Sequence, residues 1–128
     1  EVCRSLNGLA LLHYDAGEYV EAEKLLRRAI AIHDKAQRRE HPFLATSLVN
    51  LAVLCTKLER LDEAGQLFER AEYIQDTVLR EDHPDVAVRL HAYAGLLAKL
   101  NRVDEARAAQ ARADEILAHQ AEANPIAQ

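Results

Sequence analysis

Shifted by forty-two residues, the chain falls on itself three times. Leu6, Leu48 and Leu90 coincide, as do Ala10, Ala52 and Ala94. Glu21-Ala22 meets Glu63-Ala64 and Glu105-Ala106; Ala29 meets Ala71 and Ala113; Ile32 meets Ile74 and Ile116. His41-Pro42 falls on His83-Pro84. A period of this length marks one supersecondary unit written repeatedly. Such a unit exposes apolar surface that it cannot bury alone, so neighbouring units must stack.

Each unit reads as two helices. In the second, Leu48, Leu51, Ala52, Leu54, Cys55 and Leu58 recur at helical spacing, and the pattern breaks at Glu59-Arg60. A second stripe follows through Leu61, Ala64, Leu67, Phe68, Ala71, Ile74, Val78 and Leu79. The equivalent break in the first unit is Gly17-Glu18, where glycine takes the left-handed conformation that ends a helix. Asn101 fills that place in the third unit, and Glu59, in the second, predicts a strained or reshaped turn. Proline suits the first turn of a helix, where its missing N–H had no partner to lose, and it pushes the residue before it into an extended conformation. The two His-Pro pairs therefore mark where units begin. The recurring alanines let helices approach closely while larger neighbours interdigitate.

Composition agrees. Four Gly and three Pro in 128 residues are too few for an all-β chain with a turn every ~8–12 positions, and Ala, Leu, Glu and Arg favour helix. The expected fold is all-α: a right-handed α-solenoid, or superhelix, of three antiparallel helix-turn-helix hairpins. Its units span about 1-40, 41-82 and 83-121 of a single domain, 1-121, with a polar tail at 122-128. The thinning of the apolar pattern to Ala109, Gln110 and Gln120 suits a last, solvent-facing helix. Asn124-Pro125 sits one residue short of a third junction. Glu1 aligns with Phe43 and Asp85, just past where a His-Pro would stand, which predicts further sequence upstream.

A net charge of −5 with interleaved signs disfavours nucleic acid, which requires a basic face. The one basic cluster, Arg27-Arg28 with Arg38-Arg39, reads as solvated surface. No apolar run approaches the ~20 residues that span a bilayer, and no signal peptide is visible. Two cysteines form no disulfide framework, so a reducing, cytoplasmic setting is expected.

The spacing of Leu6, Leu9-Ala10, Gly17, Tyr19, Ala22, Leu26 and Ala29 resembles the tetratricopeptide repeat, whose usual period is about 34 residues. The eight extra residues lengthen the second helix and its exit loop. With "LNGLALL", "LVNLAVL", "GEYVEAEKLLRRAIAI" and the His-Pro junctions, the chain looks like the kinesin-light-chain type of that repeat. The resemblance implies a non-enzymatic adaptor that holds an extended peptide or partner helix in a concave groove built from the first helix of each hairpin. It places Arg4, Asn7 and Tyr14 in that groove from the first unit, Asn50 and Lys57 from the second, and His91 and Lys99 from the third. Leu11, Asp15, Thr46, Val49, Val53, Thr56, Val88, Ala92, Gly95 and Ala98 fill the remaining positions. Asn7 and Asn50 match asparagines that grip a peptide backbone in similar proteins, and an amide suits the role because it both donates and accepts. Gly8 and Val49 replace the second asparagine of each pair. Of the clamp that holds chaperone tails in similar proteins, only Asn50 is present, so that ligand class is set aside. Arg4, Lys57 and Lys99 against Asp15 favour an acidic or neutral ligand.

Other chemistry finds little support. No H-E-x-x-H, C-x-x-C, G-x-S-x-G or glycine-rich phosphate loop occurs, and no two histidines stand four apart. His13 aligns with Cys55 and Leu97 at a core position; His33-Asp34 lies on an outer helix; Cys3 and Cys55 read as inert, buried thiols. Neither catalysis nor a metal or cofactor is expected. The second functional reading is a homo-oligomer paired through the N-terminal repeat end, around Val2 and Leu6.

Overall fold

The computed structural model describes residues 2–36 and 41–123. Six helices are present among them: α1 (Val2–Asp15), α2 (Tyr19–Lys35), α3 (Pro42–Lys57), α4 (Leu61–Val78), α5 (Pro84–Lys99) and α6 (Val103–Ala123). They pair in sequence as three hairpins, α1–α2, α3–α4 and α5–α6, and the described residues contain no strand. Glu1, Arg38-Arg39 and Asn124-Pro125 lie outside the described residues. The second helix of each hairpin is the longer, 17, 18 and 21 residues against 14, 16 and 16, which is where the surplus over the shorter repeat resides. Helix α6 runs to Ala123, so the polar tail expected from residue 122 begins inside it.

The chain divides into two compact units, Glu1–Val78 and Leu79–Gln128. In the first, α3 lies against both helices of the first hairpin as well as against α4. Leu44, Leu48, Leu51 and Leu54 of α3 are entirely buried, and so are Ala22, Ala29, Ala52, Ala64 and Ala71. Cys3, Leu6 and Ala29 form one patch of that interior, with Leu25 and Ile32 packed on it. In the second unit Val86 and Ala87 of α5 close on Ala113 and Ile116 of α6, with Leu90 beside them. The alanines expected at helix crossings are buried throughout, except Ala106, which is half-buried.

All three hairpin turns close alike. Gly17, Glu59 and Asn101 take φ of 80°, 63° and 61°. The amide after each reaches back five residues, Glu18 to the His13 carbonyl at 2.8 Å, Arg60 to Cys55 at 2.8 Å and Arg102 to Leu97 at 2.9 Å. The left-handed residue itself donates to Tyr14, Thr56 or Ala98. This pair of bonds is the Schellman motif, and it satisfies carbonyls the helix end leaves open. Glu59 is therefore strained, as its residue type predicts, in a turn of unchanged shape.

Both His-Pro junctions start helices. His41 and His83 are extended (φ −75°, ψ 133° and φ −68°, ψ 139°), and proline follows in the first turn. Each imidazole also caps its helix: Nδ1 accepts from the Phe43 amide in one and the Asp85 amide in the other, both at 3.0 Å.

A glycine at position 59 relieves a left-handed side chain, worth ~1–2 kcal/mol, against ~0.5–1 kcal/mol of added chain entropy. Glu59→Gly should raise stability by about 0.5–1 kcal/mol in urea denaturation, and Gly17→Ala should lower it.

Candidate functional site

The structure brings Tyr14 and Asn50 to one place. Tyr14 and Leu11 are one helical turn apart on α1, Asn50 and Val53 one turn apart on α3, so each pair shares a face. Between them, floored by Ala10 and Leu26, lies a recess of about 60 Å³. The small Ala10 side chain leaves this space, and the walls are apolar apart from the Asn50 amide and the phenol. The Tyr14 ring is held by Tyr19, whose centroid is 5.4 Å away. Asn50 and Tyr14 are half-buried, and Leu11 is 49% exposed. Lys57, two turns beyond Asn50 along α3, is exposed.

Asn7 is placed differently. It is buried at 5% exposure, and its Nδ2 donates to Ser47 Oγ at 2.9 Å. The Ser47 hydroxyl in turn has two acceptors in reach, Asn7 Oδ1 at 3.1 Å and the Phe43 carbonyl at 3.2 Å. One proton serves one of them at a time. Asn7 thus ties α1 to α3 beneath the surface that Asn50 borders. Val49, also expected on the groove face, is buried. Arg4 is exposed and sets its guanidinium 5.5 Å from the Phe43 ring centre. On α5 of the second unit His91 is half-buried with Nε2 3.5 Å from Asp114 Oδ1 of α6, and Lys99 is exposed.

Near the α3–α4 turn a chain of charges links the first two hairpins. Arg60 meets Glu23 at 2.6 Å, and Arg27 meets both Glu23 at 2.8 Å and Glu63 at 2.6 Å. The bond from Arg60 holds the Glu23 carboxyl below its usual range, with Arg27 adding to it against some desolvation. Arg27 does the same for Glu63. A second pair, Arg70 with Asp34, joins α4 to α2. Each is solvent-accessible, so their worth is mainly in register. Cys55 is fully buried, and desolvation pushes its thiol up to about 11, which leaves it protonated and inert. Cys3 is buried too, its thiol toward the Ala29 carbonyl at 3.8 Å.

His13 is more open than Cys55 and Leu97, its counterparts, and its Nδ1 pairs with Glu18 at 2.9 Å. His33 is buried on α2, its ring 5.2 Å from that of His41. Among the described residues no three His, Cys, Asp or Glu side chains are grouped to hold a metal, and no helix is long and apolar enough to cross a membrane. Two features escaped the sequence reading: the Asn7–Ser47 bond and the histidine caps. Ser47 one residue before Leu48 and His one before Pro were the available signals.

Stacked helical hairpins with alanine crossings, glycine-type turns and a recess between successive first helices define a helical repeat module. The chain belongs to the tetratricopeptide repeat family, whose model matches residues 1–72 and 44–119. Similar solved structures include the following two. One, from Podosopora anserina, is described as a candidate kinesin light chain with nearly identical tetratricopeptide-like repeats; it is 30% identical with a TM-score of 0.81 over 92% of this chain. A point variant of that protein is 31% identical, with a TM-score of 0.78 over 90% of this chain. This chain spans 57% and 54% of those two. No curated protein matches it. The repeats are thus of the kinesin-light-chain-like kind, in an all-α repeat fold.

Truncating Asn7 removes a buried bond, whereas truncating Asn50 touches a half-open surface. Asn7→Ala should cost about 1–2 kcal/mol in urea denaturation and Asn50→Ala less than about 0.5 kcal/mol.

Proposed function

We propose that this chain is a non-enzymatic adaptor that holds a peptide or partner segment along the face where α1 and α3 meet. Repeats of this family generally mediate protein–protein interactions, and folds of this kind are typically without catalysis. The observation that carries the reading is the recess between Leu11, Tyr14, Asn50 and Val53, an apolar socket with one amide at its rim. A socket of this size suits a small aliphatic side chain, while the amide pairs with the ligand's backbone whatever its sequence. Asn7, by contrast, supports the face from below. Lys57 and Arg4 on the same unit, both exposed, favour an acidic or neutral ligand. On α5, Lys99 holds the position of Lys57, and His91 that of Val49. The two free, buried cysteines fit a reducing, cytoplasmic setting.

With a partner recovered by pull-down, the double substitution Asn50→Ala, Lys57→Ala should weaken binding at least about tenfold while helicity and melting stay as they are. Unaltered affinity would exclude this face as the binding site.

A second reading is self-association through the outer side of α1. Leu44, Leu51 and Leu54 are fully buried on α3, yet their counterparts Val2, Leu9 and Leu12 on α1 are 57%, 45% and 67% exposed. Leu6, the counterpart of Leu48, is buried and belongs to the core. If copies pair there, light scattering should show mass rising with concentration, and Val2→Glu with Leu9→Glu should return it to the monomer.

A further inference from the structure

The histidine at the start of α3 does more than precede a proline. His41 Nδ1 accepts the Phe43 amide proton at 3.0 Å, and only the neutral ring has the lone pair to do so. Imidazole is the one side chain whose ordinary protonation falls between about pH 5 and 8. Once protonated, Nδ1 carries a hydrogen directed at another donor. The new positive charge also lies at a helix N-terminus, where the aligned peptide dipoles disfavour cations.

The surroundings of His41 add to this. Its ring is 5.2 Å from that of His33 on α2 and 6.5 Å from that of Phe43. Arg4 of α1 shares the same recess, of about 530 Å³, with both histidines and the Cys3 thiol. No carboxylate stands among the described residues lining it. Asp34, next to His33 on α2, is engaged by Arg70. At the equivalent junction His83 has a different neighbour: Asp85 stands where α3 has Phe43, its carboxylate 3.9 Å from Nδ1. Around that second junction the carbonyl of Asp82 accepts from Gln120 of α6, and Arg112, Glu115 and His119 of α6 line a recess with Glu81 and Asp82. An imidazolium at 83 thus acquires a counter-ion as it loses its cap; among the described residues, one at 41 does not. Glu40 and Asp82 precede the two rings alike in sequence.

We propose that His41 is a pH-sensitive latch between the first and second hairpins, closed while its ring is neutral and released on protonation, and that Asp85 makes the equivalent cap at His83 far less sensitive. The first turn of α3 is what the latch holds. Phe43 lies under the Arg4 guanidinium, and its carbonyl is an acceptor for Ser47, the partner of Asn7. Freeing that turn loosens contacts on α1 together with the cap. The contribution is complete at pH values above imidazole protonation and is lost as pH falls through that range.

Thermal and urea unfolding of the wild-type chain, His41→Asn and His83→Asn at about pH 8 and about pH 5.5 tests this, because asparagine caps a helix without titrating. The unfolding constant of the wild type should rise roughly fivefold more on acidification than that of His41→Asn, the ratio expected for one lost cap. His83→Asn should follow the wild type. An equal acid response in wild type and His41→Asn overturns the proposal. In the unsubstituted protein, NMR should show the Phe43 amide proton shifting with the same midpoint as the His41 ring; an amide that stays fixed while the ring titrates overturns it as well.

Discussion

Close approach at alanine is the contact on which the rest of this molecule depends. Along α2 and α4 the recurring small residues are enclosed: Ala22, Ala29, Ala64 and Ala71 are all without solvent exposure. A larger residue at any of them would hold the helices apart, and the leucines that flank the crossing would lose their interlocking contacts. The recess between Tyr14 and Val53 is a by-product of the same economy, since Ala10 in its floor is small for the reason its relatives are. The recess and the packing rule therefore have one origin.

That origin explains why the architecture was legible in the sequence. The forty-two-residue period, the alanines and the leucines report packing, and packing is enforced at the same place in each unit. Turn residues were legible too, because Gly17, Asn101 and even Glu59 answer a backbone requirement that geometry imposes three times. The candidate face was less legible. Asn7 and Asn50 belong to the same kind of stretch, yet they stand at different positions within the repeat, one beneath the surface and one at its edge. A helix face drawn from spacing alone has an uncertainty of about one residue in angle, enough to turn an amide from the groove into a neighbouring hydroxyl. Ser47, which captures Asn7, is invisible to periodicity because its importance arises only when two hairpins meet.

The histidines offer a third kind of lesson. Their spacing said that they punctuate the repeat, and the proline beside each gave the reason. What spacing did not carry was the second task of the ring, since capping depends on which nitrogen faces the chain. His41 and His83 make the same bond at the same distance, but Phe43 and Asp85 give the two rings different electrostatic company. Equivalent positions in a repeat share geometry without sharing chemistry.

The Schellman turns have a consequence for how the chain reaches this state. Each is closed by bonds spanning only a few residues, so every hairpin carries the instructions for its own reversal. Contacts between helices within a hairpin are likewise near in sequence, and proteins dominated by such contacts fold fast. The search through conformations is thereby shortened, because most of what each helix must find lies close along the chain.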